Sequence, residues 1–172
     1  MTLANITLRP VREDDLAVME RFLSEPEAAA PFQWFGWHDP GRWRRRWAQD
    51  GLLDGDQRFL IVAGGAEPLG FVSWRKITPT PTTHYWNMGI ALLPEVRGKG
   101  VGTQAQRQLV SYLFAHTPVM RVEADTEAEN IAEQRALEKV GFTREGILRS
   151  IAFRDGQWRD GVRYSILRGD VA

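Results

Sequence analysis

The sequence predicts a mixed α/β fold, with helices packed on a mostly antiparallel sheet of about seven strands. Three observations carry this. Apolar runs at 58–63, 69–77 and 84–93 follow one another across turn-rich breaks, as in an antiparallel meander. Segments with apolar residues at helical spacing separate the other strand-like runs. Near the end, Asp155-Gly156 lies between two last runs, 143–153 and 162–167, which reads as a hairpin. Helices set around such a meander indicate a layered domain spanning 1–172.

Taken in order, Ile6-Thr7-Leu8-Arg9-Pro10 is a short edge strand stopped by proline. Glu13-Asp14-Asp15 places acids at the start of a helix over 13–23, with Leu16, Met19, Phe22 and Leu23 on one face. Residues 31–40 form an aromatic loop, and 41–52 a helix with Trp43 and Trp47 four apart among Arg42, Arg44, Arg45 and Arg46. Its tryptophans suit the core and its arginines solvent. The aromatic loop could instead wall a substrate cleft, since loops on a rigid scaffold often bind.

The meander follows, with 78–83 read as a connecting loop because it holds two prolines. Residues 104–114 form a helix with Val101, Ala105, Leu109, Tyr112 and Leu113 on its apolar side. The run 119–125 alternates Val119, Arg121, Glu123 and Asp125 against Met120, Val122 and Ala124. Over 130–140 lies a helix with Ile131, Ala132, Ala136, Leu137 and Val140 inward and Gly141 as its C-terminal cap.

The bulk numbers narrow the function. Of 172 residues, 43% are hydrophobic and 26% charged, as in ordinary globular chains. Cations and acids number 22 each, which removes net charge as a drive toward nucleic acid. With no cysteine there is no disulfide, thiolate metal site or cysteine nucleophile. Residues 1–10 lack the cationic and apolar regions of a secretory signal, and no run is long enough to span a membrane. The expected setting is the cytoplasm, with neither membrane nor nucleic acid as partner and with no bound metal.

The most informative stretch is Pro94-Glu95-Val96-Arg97-Gly98-Lys99-Gly100-Val101-Gly102-Thr103. Three glycines in five positions let backbone N–H groups approach an anion, and a helix N-terminus follows. It fails the Walker spacing, since no Gly-Lys-Thr triplet occurs, and also the dinucleotide fingerprint. It fits Arg-x-x-Gly-x-Gly through Arg97, Gly100 and Gly102.

With that loop, an ordered series of segments resembles the GNAT acyltransferases, in particular the Rim-type ribosomal-protein N-terminal acetyltransferases. The series comprises Leu8-Arg9-Pro10, Gly89-Ile90-Ala91-Leu92-Leu93-Pro94, Arg121-Val122-Glu123-Ala124, Asn130, Glu138-Lys139-Val140-Gly141-Phe142, Arg144-Glu145-Gly146, Asp155-Gly156-Gln157-Trp158 and Tyr164-Ser165-Ile166-Leu167. The resemblance covers nearly the whole chain. It implies a GNAT-like sheet splayed between its fourth and fifth strands, with acetyl-CoA as co-substrate entering the gap. Amides of Arg97, Gly98, Lys99, Gly100, Val101, Gly102 and Thr103 would hold the pyrophosphate, with charge from Arg97 or Lys99. Ile90, Ala91 and Leu92 would pair with pantetheine, and a backbone N–H there would polarise the thioester carbonyl. Asn130 would face the cofactor arm, and it also opens a capping box with Glu133.

The implied reaction is direct acetyl transfer to a primary amine, on a small molecule or a protein N-terminus, by a monomer or homodimer. A base must take the amine proton and an acid must protonate the leaving sulfur. Some Rim-type enzymes use a serine three positions after the matching asparagine, and this chain has Glu133 there, read as an ionised capping carboxylate and a poor acid. Relatives often carry a strand glutamate where this chain has Asn87. That leaves Glu123 as the expected base and Tyr164 as the expected acid, with Asp125, His84 and Tyr112 as alternatives. Glu123 could equally be a cross-strand partner of an arginine. The resemblance assigns the acceptor wall to Trp34, Phe35, Trp37, His38 and Trp86, with Phe153 nearby. The alternative function is a non-catalytic acyl-CoA-binding module of the same fold.

Overall fold

The computed structural model describes residues 5–171, so the first four residues of the N-terminal stretch read for an export signal lie outside it. The strands are β1 (Ile6–Arg9), β2 (Gln57–Gly64), β3 (Glu67–Thr80), β4 (Thr83–Leu92), β5 (Arg121–Glu127), β6 (Thr143–Arg154) and β7 (Gln157–Leu167). The helices are α1 (Leu16–Ser24), α2 (Pro26–Ala29), α3 (Arg42–Asp50), α4 (Val101–His116) and α5 (Ile131–Val140). All seven strands form one sheet in the order β1-β2-β3-β4-β5-β7-β6. Every neighbouring pair is antiparallel except β4 and β5, which run parallel.

Alternation along the strands builds a core on each side of the sheet. On one face Val62, Val72, Trp74, Trp86, Met88, Val122 and Tyr164 pack against Val101, Ala105, Leu109 and Leu113 of α4 and Leu137 of α5. On the other, Phe59, Ile61 and Ala63 of β2 meet Leu16 and Met19 of α1 and Trp43 of α3. Trp43 is buried and Trp47 partly so, with the Trp47 indole donating to the Val11 carbonyl at 2.9 Å, while Arg44 and Arg45 stay exposed. The amphipathic reading of this helix holds. Asp15 is buried beside Arg9, 2.6 Å away, and accepts from the Arg12 amide, tying β1 to the start of α1.

Three local expectations change. Residues 78–83 are not a loop: β3 continues to Thr80 and turns within two residues into β4, with an irregularity between Ile77 and Thr80 that accommodates Pro79. Met120 was expected on the buried face but is 65% exposed, because β5 begins one residue later. Ile131 and Ala132 of α5 are exposed, and Leu137 is its one fully buried side chain among the described residues.

What positions the site is the failure of β4 and β5 to stay together. They pair at Trp86–Val122, Asn87–Glu123 and Met88–Ala124, and the pairing ends there. Beyond Met88 the sheet opens.

Candidate active site

Two adjoining cavities fill that opening. The larger, about 580 Å³, runs between Ile90 and Leu92 of β4, the glycine loop with the start of α4, and α5. The smaller, about 290 Å³, lies between Met88–Ile90 of β4 and 124–127 of β5, with Phe32 and Phe35 on one side and Ile151 on the other. Both volumes are of the order that ligand sites occupy, about 300–1,000 Å³.

The glycine loop is built from its backbone. Gly98 and Gly100 have φ of +72° and +80°, the left-handed region that a side chain disfavours. Gly100 is the N-cap of the 16-residue α4, and no side chain caps that end. The first amides of a helix have no partner within it, so those of Val101, Gly102 and Thr103 are left for a ligand. Gly102 packs beside the side chains of Leu92 and Ile90.

Arg97 sits below the loop, with each guanidinium nitrogen donating to a main-chain carbonyl. Nε donates to the Leu92 carbonyl at 2.9 Å, Nη1 to Ala30 and Nη2 to Ala28 at 2.5 Å. Burial lowers its pKa from the ordinary arginine value. It clamps the segment after α2 onto the end of β4. In the same segment, Gln33 Nε2 donates to the Ile90 carbonyl at 2.6 Å across the opening. The main-chain polar groups of Ile90 therefore point into the gap, because N–H and C=O of one strand residue share an edge.

Asn130 lines both cavities. Its Oδ1 accepts from the Glu133 amide at 3.3 Å, and its Nδ2 donates to Thr126 Oγ1 at 3.1 Å. Glu133 also lines both. Its carboxylate turns away from the helix end toward Gln106 of α4, whose Nε2 donates to it at 3.3 Å. Burial raises its pKa to about 7, against a smaller lowering from the Gln106 hydrogen bond. The expected ionised capping carboxylate is thus a largely desolvated group in the cleft wall.

Residues 5–143 match the GNAT acetyltransferase domain. The chain belongs to the GNAT acetyltransferase family. A probable N-acetyltransferase of Bacillus subtilis, YjcK, is 40% identical over 73 residues, covering 42% of this chain and 40% of that protein. The chain thus aligns with less than half of that relative's length. Among solved structures, a spermidine N-acetyltransferase from Vibrio cholerae in complex with CoA and spermine superposes with a TM-score of 0.81 at 21% identity over 96% of each chain. RimJ of Mycobacterium smegmatis, in complex with CoA-disulfide, gives 0.79 at 23% identity over 99% of this chain and 85% of that one. At such identities the superpositions speak for the fold. The parallel β4–β5 pair that parts after three residues is the splay that the GNAT resemblance implied.

Within this GNAT domain, the sequence-derived donor residues gather at the larger cavity. Ile90, Leu92, Arg97, Gly98, Gly100, Gly102, Thr103 and Asn130 line it. Ala91 instead turns its side chain into a small core with Phe22 and Ala29 on the opposite face. Val101 is buried against the sheet and takes part only through its amide. Lys99 is exposed, with Nζ on the Glu95 carbonyl at 2.8 Å. Arg97 is positioned by three carbonyls, which are neutral and leave its charge uncompensated at the cavity wall.

The catalytic assignments need correction. Glu123 is 3% exposed, accepts from Arg121 at 2.7 and 2.9 Å, lies 3.6 Å from Arg163 and lines neither cavity. It is the cross-strand partner of arginines. Tyr164 is fully buried, with its hydroxyl donating to Glu138 at 3.0 Å, and lines neither cavity. Asp125 lines the smaller cavity, but Arg163 donates to it at 2.9 and 3.0 Å and Asn87 at 3.2 Å.

Of the acceptor wall, Phe35 lines the smaller cavity. Trp86 does not: it is a core residue at 4% exposure, donating to Thr117 Oγ1 at 3.0 Å. Trp34 stacks edge-on with Trp37, 74% exposed, and His38 sits on the Gly36 carbonyl, all outside the lining. Phe153 is exposed against Trp158. The wall residues missed were Phe32 and Gln33, immediate neighbours of those named, together with Ile151 and Glu127. Glu127 is held by Arg154 in a buried two-pronged pair at 2.7 and 2.8 Å.

Proposed function

We propose that this chain is an acetyl-CoA-dependent N-acetyltransferase that moves the acetyl group directly to a primary amine. The observation that carries this is the uncapped N-terminus of α4 opening, behind left-handed Gly98 and Gly100, onto the gap where β4 leaves β5. Amides 98–103 suit the pyrophosphate of CoA, and the edge of β4 at Ile90, where no strand pairs and Gln33 holds the carbonyl, suits the pantetheine amides. The thioester then lies where the two cavities meet, with the acceptor in the smaller one. Its wall of Phe32, Phe35 and Ile151 suits an amine on an apolar or cationic carrier.

The protein's part in the chemistry is alignment and proton handling. A free amine attacks the thioester carbon, an N–H of β4 in the gap steadies the oxyanion, and the carbon–sulfur bond breaks. Spermidine-like polyamines and protein N-termini are both within this class of acceptor. A cytoplasmic setting suits this reading.

Isothermal calorimetry with acetyl-CoA, followed by mass spectrometry over spermidine, kanamycin and a hexapeptide with a free N-terminus, tests the proposal. Binding together with a product 42 mass units heavier (the mass of an acetyl group replacing hydrogen, roughly, by atomic weights) is expected. Binding with no product on any amine would leave an acyl-CoA-binding module, and no binding would remove both.

A further inference from the structure

Five residues line both cavities: Phe32, Gln33, Ile90, Asn130 and Glu133. Glu133 is the one among them with an ionisable side chain. It stands one turn into α5, fixed by the hydrogen bond of its own amide to Asn130. Behind it lies Gln106, 0% exposed, with Nε2 on the Glu133 carboxylate and Oε1 without a partner. A buried amide with a spare acceptor is costly unless something uses it. Turned over, the same amide would accept from a protonated carboxyl, so Gln106 can serve Glu133 in either protonation state.

The surrounding charges are committed elsewhere or lie to one side. On β5, Asp125 is held by Arg163 and Glu127 by Arg154 of β6. Arg97, before α4, is held by backbone carbonyls. Arg135 and Lys139, further along α5, line the donor cavity, and the segment 29–33 carries no charge. Among the described residues no cation pairs with Glu133.

We propose that Glu133 carries the proton between the attacking nitrogen and the leaving sulfur, as base for one half of the reaction and acid for the other. This rests on the acetyltransferase reading above. The neutral amine adds to the thioester carbon, forming the C–N bond and leaving positive charge on nitrogen and negative charge on oxygen. The Glu133 carboxylate takes the N–H proton. The oxyanion then re-forms the carbonyl, the C–S bond breaks with its electron pair going to sulfur, and the Glu133 carboxyl protonates that sulfur. Amide and CoA thiol leave, and the carboxylate is restored. A carboxyl that titrates near 7 is matched to both transfers.

The test is Glu133→Gln in the full chain, with Glu133→Asp and Gln106→Leu as companions. Acetyl-CoA affinity by calorimetry should stay within about threefold of wild type for Glu133→Gln, showing an intact cleft. With the best acceptor of the panel, kcat should fall about 100-fold. The wild-type kcat should rise with pH through about 7, and that limb should vanish in Glu133→Gln. It should persist in Glu133→Asp with reduced kcat, and move to higher pH in Gln106→Leu, which lacks the hydrogen bond that favours the charged form. Carbon-13 NMR of side-chain-labelled glutamate should show one carboxyl titrating near 7 that Glu133→Gln removes. Wild-type turnover with an unchanged kcat and pH limb in Glu133→Gln would overturn the proton-carrying role alone. No wild-type turnover on any amine would overturn the acetyltransferase reading, and this role with it.

Discussion

Replacing Glu133 by glutamine should stabilise the protein at alkaline pH and leave it nearly unchanged in mild acid. The carboxyl has an ordinary pKa of 4.5, which burial raises to about 7 in the fold. The folded chain then binds more protons than the unfolded chain between these values, so stability falls as pH rises through that window. Below 4.5 both states are protonated and nothing is lost. Above 7 the whole cost of an ionised, desolvated carboxylate is present. At about 1.36 kcal/mol per pKa unit the ceiling is about 3 kcal/mol. Glutamine has the same shape, retains a hydrogen bond to Gln106 and carries no charge, so it avoids that cost. Urea unfolding followed by tryptophan fluorescence at pH 5, 6, 7, 8 and 9 would measure it. The variant should gain little at pH 5 and up to about 3 kcal/mol at pH 8, or roughly 6–12 °C in Tm for a chain of this length. A difference that is flat from pH 5 to 9, or a variant less stable at pH 8, would refute the desolvated carboxyl.

Arg97→Met should cost about 3 kcal/mol in urea unfolding, because the carbonyls of Leu92, Ala28 and Ala30 lose a charged donor, and acetyl-CoA affinity should fall with the displaced wall. Arg97→Lys should rescue little, since an ammonium cannot reproduce the planar fork. Gly100→Ala should lower stability by about 1–2 kcal/mol in the same assay, purely from its left-handed backbone, since a Cβ there meets open space. Glu123→Gln should keep kcat within about threefold of wild type in the acetylation assay and lose about 1–3 kcal/mol of stability, because Arg121 and Arg163 keep their charge without that partner.

These outcomes turn on distinctions that the sequence carried unevenly. The strands and the glycine loop were legible because their signals are local: alternation, helical spacing, and glycine where the backbone turns left-handed. Arg97 lines the larger cavity, as the glycine-loop motif suggested, but its three hydrogen bonds to main-chain carbonyls were not legible, since one of those carbonyls lies 69 residues away. Glu133 shows the same limit. Its spacing from Asn130 fits a capping pair, but the burial that sets its protonation depends on the tertiary packing around it, where its carboxylate meets Gln106 of α4. Trp86 was assigned to the acceptor wall through the family resemblance, yet strand parity sends it with Met88 into the core. The prolines at 79 and 81 suggested a break, but the irregular end of β3 takes the first and the tight turn into β4 the second.

The parting of β4 from β5 after Met88 also divides the site by the kind of atom that builds it. On the proposed reading its donor side is mainly main chain: helix amides, a strand edge, and glycines whose merit is to have no side chain. On the acceptor side the surface is made of side chains, Phe32, Phe35 and Ile151 among them. Substitution can rewrite a surface of side chains without touching a surface of amides. A lineage built on this frame can therefore exchange one amine for another through a few point changes while its claim on the shared donor is inherited intact.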